Sequence, residues 1–137
     1  MRSSEALREE MQKFAGLWRI VYYVRDGQAL DVSTLTEMID GDGKFTVFSA
    51  GAVVSRGHHD DFNLATDPKR FTNMYVEDKS RAGQKTLAIY RLDGDILEAC
   101  HGPAGQGWPT EFTSPEGSGR SHLILKRMPQ DLLEVID

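Results

Sequence analysis

The sequence predicts an all-β domain, an antiparallel sandwich or barrel of about eight or nine short strands with a short N-terminal α-helix. Three observations carry that expectation. Apolar and polar residues alternate over short stretches, the period of a half-buried strand. Turn residues interrupt these stretches every ~8–14 positions, the spacing of sandwiches and barrels. No helical period separates one stretch from the next, which argues against strand–helix–strand units. At 137 residues the chain has single-domain length. It divides into a helix over about 3–13, a barrel over about 16–128 and a loose tail over about 129–137.

Ser3 and Ser4 are candidate helix caps, since a hydroxyl there accepts an unpaired backbone N–H. Glu5 lies near the positive helix end. Ala6, Leu7, Met11 and Phe14 make one narrow apolar stripe. That stripe packs on its own protein; a lid over a barrel mouth or a homodimer contact is the alternative. From Gly16 the period becomes two, with Trp18, Ile20, Tyr22 and Val24 on one face and Arg19, Val21, Tyr23 and Arg25 on the other. Asp26-Gly27 ends this strand. Residues 29–39 read as a strand or a short helix, and Gly41-Asp42-Gly43 turns into a strand over 44–49. After a connection at 49–51, residues 53–64 place Val54, Arg56, His58, Asp60, Phe62 and Leu64 on one face. A turn at 67–70 leads to a strand over 71–77, and 81–84 connects it to a strand over 85–92. Asp93-Gly94-Asp95 is the strongest hairpin signal, because Gly tolerates the positive φ of a tight β-turn. Residues 96–101 pair back. A Gly- and Pro-rich loop over 102–107 precedes a short edge segment at 108–113, where Pro109 cannot donate to a ladder. A turn at 114–119 and a strand over 121–127 close the domain before Pro129.

Composition excludes several function classes. The formal net charge of −5 repels nucleic acid and anionic membrane surfaces, so neither is an expected partner. No apolar run approaches the length that spans a bilayer. The charged N-terminal stretch lacks a signal-peptide core, which together with a single cysteine, Cys100, points to the cytoplasm. Phosphate-binding glycine loops, nucleophile elbows and dinucleotide fingerprints are missing, and no cofactor is implied.

Two motifs add a resemblance. Phe14-x-Gly16-x-Trp18 looks like the glycine–tryptophan entry of lipocalin-like barrels. The run Ile89-Tyr90-Arg91-Leu92-Asp93-Gly94-Asp95-Ile96-Leu97-Glu98-Ala99-Cys100 is similar to the hairpin of an uncharacterised bacterial lipocalin-like domain family. Trp108-Pro109-Thr110-Glu111-Phe112 resembles the segment that follows it there, with tryptophan in place of arginine. The Gly117-Ser118-Gly119 turn and the Leu123–Arg127 strand also match, so the resemblance covers most of residues 14–127. Residues 71–75 depart from the family pattern, as does the lack of a secretion signal. The resemblance narrows the fold to a lipocalin-like, antiparallel up-and-down β-barrel of about eight strands whose closed end is plugged by the tryptophan. The family has no established activity, so no function is implied.

The most conspicuous chemistry is His58-His59-Asp60-Asp61. On a strand it gives each face one imidazole and one carboxylate. A metal would need a third ligand, such as His101 or His122, which nothing in the sequence places nearby, and no metal is assigned. If Phe62 points inward, so do Arg56, His58 and Asp60; a bulge at Gly57 would swap the faces. Buried charges need pairing, hydrogen bonds or a polar ligand. Arg56 is therefore a candidate anion ligand, and Tyr22, Tyr75, Tyr90 and Trp108 are candidate pocket walls. The first functional expectation is binding of a small apolar or aromatic molecule, anionic ones included. The alternative is a cofactor-independent lyase, isomerase or cyclase with His58 as base and Asp60 as its support. A structural or interaction domain with a filled interior is the third.

Overall fold

Eight strands form one antiparallel sheet whose first and last members pair, so the sheet closes on itself. The computed structural model describes residues 2–129; the remainder of the anticipated tail, 130–137, lies outside the described residues. The helix α1 (Arg2–Phe14) leads into β1 (Gly16–Arg25), the two-residue β2 (Gln28–Ala29), β3 (Leu35–Ile39), β4 (Lys44–Ser49) and β5 (Ala52–Asn63). Then come β6 (Lys69–Asp78), β7 (Lys85–Asp93), β8 (Ile96–Pro103), one 3₁₀ turn (Ala104–Gln106) and β9 (Ser121–Arg127). Neighbours in the barrel follow chain order from β3 to β9, β1 joins β3 to β9, and β2 only extends the end of β1. This is an up-and-down, lipocalin-like barrel; the alternating pattern allowed a sandwich as well, and the β1–β9 pairing decides for the barrel. Closure removes the unpaired edges that an open sheet would present.

Three local expectations are corrected. The helix begins at Arg2, so Ser3 and Ser4 lie inside it rather than at its cap. The ambiguous stretch 29–39 contains β2 and β3 and no helix. Residues 108–113 form no strand. That segment lies over the outer face of β8, where the Cys100 thiol donates to the Thr113 carbonyl at 3.4 Å and Pro109 packs on Gly102. Burial raises the Cys100 thiol above its ordinary pKa, so this cysteine acts as a small apolar side chain.

One end of the barrel is plugged. Phe14 enters it from α1 and meets Phe62 and Tyr90 edge-on at 5.4 and 5.1 Å. Trp18 is fully buried and donates its indole N–H to the Phe14 carbonyl at 2.8 Å. The Arg127 guanidinium lies 4.2 Å over the indole and donates to the carbonyls of Lys13 and Ala15. Helix and plug are further joined by Glu10, which accepts from the Tyr90 hydroxyl at 2.6 Å and from Lys69 at 3.1 Å. Burial opposes ionisation of Glu10, but these hydrogen bonds prevail and hold its carboxyl below the ordinary value. The helix is thus a plug and not a lid, because the other end is the open one.

Gly57 sits on β5 where backbone and ring leave no room for a side chain. A Cβ there would lie 2.0 Å from the Met74 carbonyl oxygen and 2.7 Å from the Phe45 ring. Gly57→Ala is therefore expected to cost about 1–3 kcal/mol through forced displacement of β6. Chemical denaturation checks this, and an unchanged midpoint would show that the strands yield without cost.

Candidate functional site

Above the plug the interior is hollow. Two adjoining cavities of about 350 Å³ each open toward the end formed by the termini of β1, β6 and β8. They share Arg25, Tyr75, Arg81 and His101. The inner cavity has an apolar wall that includes Ile20, Leu35, Phe45, Val47 and Leu123. The outer one lies under Thr86 and Pro103.

Bulges decide which side chains face this chamber. In β1 the pairing with β9 shifts between Ile20 and Tyr22. Val21 is the extra residue, so parity reverses beyond it. Tyr23 and Arg25 consequently line the chamber, while Tyr22 stands outside, 42% exposed, with its ring against His122 at 5.1 Å. The expected place of Tyr22 in the pocket wall is corrected accordingly.

In β5 the pairing with β6 shifts between Asp60 and Asn63, where Asp61 takes a positive φ of 51°. This bulge brings Phe62 into the plug without bringing the row before it. Ser55 and His59 line the chamber, whereas Arg56, His58 and Asp60 lie on the outer wall. Arg56 reaches Glu77 at 3.4 Å with its side chain 50% exposed. The His58 Nδ1 is hydrogen-bonded to Asp60 Oδ2, both side chains being over 40% exposed. The inward Arg56–His58–Asp60 row is corrected: it does not border the cavity, and the chamber roles expected of it have no place there.

The remaining expected wall residues separate. Tyr75 lines both cavities, and burial raises its hydroxyl above the ordinary pKa. Tyr90 faces inward but belongs to the plug, bonded to Glu10. Trp108 lies outside the barrel, 5.1 Å beneath the Arg70 guanidinium. Of the four histidines, His59 and His101 line the chamber, while His122 pairs with Glu98 at 2.7 Å. Among the described residues no group of three or more His, Cys, Asp or Glu could hold a metal ion.

Apart from Tyr75, the chamber's polar groups were not singled out from the sequence as pocket residues. Two Arg–Tyr pairs stand in it. Arg25 donates to the Tyr23 hydroxyl. Arg81, on the turn after β6, donates to the Tyr75 hydroxyl at 2.9 Å and to Asp78 at 3.0 Å. Burial works against the Asp78 charge, but Arg81 and the Ser80 N–H pull its carboxyl down to about 2. His59 stacks on Phe45 at 4.8 Å, and its Nε2 is 3.8 Å from a Glu37 carboxylate oxygen. His101 accepts or donates at 3.3 Å to Thr86. Burial first, then the nearby His59 and Arg81, push its imidazole down to about 3. Asn73, fully buried, completes the ring. Such a set can hydrogen-bond a polar ligand from several sides.

No family model, curated protein or solved structure matches the chain. Among the described residues no helix is long and apolar enough to cross a membrane.

Proposed function

We propose that the protein binds a small molecule in the barrel chamber, with an apolar body against the inner wall and a polar group near the mouth. One observation carries this reading. Among the described residues, buried side-chain polar atoms without a partner include Arg25 Nε, His59 Nδ1, Asn73 Oδ1 and Arg81 Nε, and each of these belongs to a residue lining the inner cavity. Each unpaired buried polar atom costs about 1–3 kcal/mol. Native interiors hold few such atoms, so their gathering around one cavity supports a ligand that satisfies them. Hollows of this size fall in the range of small-molecule sites.

The neutral fluorophore phenylnaphthylamine tests the reading. It is expected to bind at one site with enhanced fluorescence, and Val47→Trp or Leu35→Trp, which fill the inner cavity, are expected to abolish binding while the far-ultraviolet dichroism stays native. Binding that survives both fillers, or no binding to the unaltered chain, would refute it.

A further inference from the structure

We infer that the polar group recognised in the chamber is an organic anion, a carboxylate on an apolar body, seated between Arg25 and Arg81. This rests on the binding reading above and names the ligand's chemistry.

The side chains around the two cavities include four cations, Arg25, Lys79, Arg81 and Lys85, against two carboxylates, Glu37 and Asp78. The carboxylates are less available than their number suggests. Asp78 accepts from Arg81 and from the backbone N–H groups of Ser80 and Arg81, and Glu37 lies deeper, beside His59. Arg25 has no carboxylate within ion-pair distance among the described residues. Among the described residues its side-chain hydrogen-bond partner is the Tyr23 hydroxyl. A guanidinium in a cavity with no counter-charge is costly unless a ligand supplies one.

Donor geometry points the same way. Both arginines are held by a neighbouring tyrosine, with guanidinium carbons 5.2 Å from the Tyr23 ring centre and 4.1 Å from that of Tyr75. Both leave the Nε–H unpaired. The Nε–H and an adjacent Nη–H form the fork that matches the two oxygens of a carboxylate. Holding the fork in place beforehand reduces the ordering cost of binding. Arg127 makes the contrast, since its donors are taken by Asp95, Lys13 and Ala15. The net charge of −5 repels anions generally, so a cationic mouth is a local exception that selects where an anion settles.

The test uses naphthylacetate and its neutral isostere naphthylacetamide, each displacing phenylnaphthylamine from the full chain. Naphthylacetate is expected to compete roughly 10- to 100-fold more strongly, the range for a charge-assisted hydrogen-bonded pair. Arg25→Met should erase that preference and Arg25→Lys should retain part of it, each competition being read against the same variant's own phenylnaphthylamine affinity. Equal competition by the two naphthyl compounds, or a preference that persists in Arg25→Met, overturns the anion seat while leaving the chamber as a binding site. A chain that does not bind phenylnaphthylamine removes the binding reading and the anion seat together.

Discussion

Trp18→Ala is expected to lower the unfolding free energy by about 3–5 kcal/mol, the range for removing a buried aromatic side chain. Three losses coincide at this residue. The indole is fully buried, so its removal leaves a void that the closed barrel end cannot collapse to fill. The 2.8 Å hydrogen bond to Phe14 goes with it, leaving the carbonyl at the end of α1 short of a donor. Arg127, 4.2 Å above the ring, loses its platform while still bonded to Lys13 and Ala15. Trp18→Phe separates the terms, since it keeps an aromatic ring and drops the hydrogen bond; about 1–2 kcal/mol is expected. Urea denaturation followed by circular dichroism measures both. A cost below about 1 kcal/mol for Trp18→Ala would mean that the plug does not hold the barrel end closed.

The fold was readable because alternation, turn residues and the change of period at Gly16 all concern local geometry. Strand faces were readable only as far as the next bulge. On β1, Trp18 and Ile20 are buried as their alternation required, but Val21 reverses the parity, and no glycine or aspartate marks the place. On β5 the faces were assigned backwards from Phe62 across Asp61. Aspartate is one of the few residue types that take a positive φ readily, so the Asp60-Asp61 pair was the available sign of a break. Gly57 gave a second sign, since it shares a face with Ser55 and His59 and its missing side chain admits the Phe45 ring.

Depth is a different matter from facing. Tyr90 points inward and still lies in the plug, because alternation reports the side of the sheet and not the position along the barrel axis. Arg81 is on a turn, beyond the reach of any strand period, and it enters the chamber only because β6 and β7 end at the mouth. Trp108 shows the converse. Its proline-broken segment reads as an edge, yet a closed barrel has no free edge for it to occupy, so it covers β8 instead.

The second large effect expected is acid sensitivity centred on His101. Folding lowers its pKa from 6.5 to about 3, so between those values the unfolded chain binds a proton that the folded chain does not. The stability associated with the neutral imidazole is therefore full above pH ~6.5 and is lost as the pH falls toward about 3. Each tenfold weakening of proton binding on folding corresponds to about 1.4 kcal/mol, which gives a loss of roughly 2 kcal/mol between pH ~7 and ~5 and up to about 4–5 kcal/mol at stronger acid. Glu10 and Asp78 act in a lower window. Their folded pKa values lie below the ordinary 4.5 and 3.8, so the stability they contribute is present above those values and is lost only as the pH falls past them. Denaturation midpoints at pH ~7 and ~5 isolate the histidine, because His101→Gln keeps a hydrogen-bonding side chain opposite Thr86 and carries no titratable charge. The variant is expected to lose about 2 kcal/mol less than the unaltered chain over that interval, and an identical loss in both would show that His101 is protonated as readily in the barrel as in the unfolded chain. That result would also bear on the chamber, since a readily protonated His101 would add a further cation to the wall in mild acid. With the imidazole kept neutral, His101 adds no charge to the attraction for an anion at the mouth.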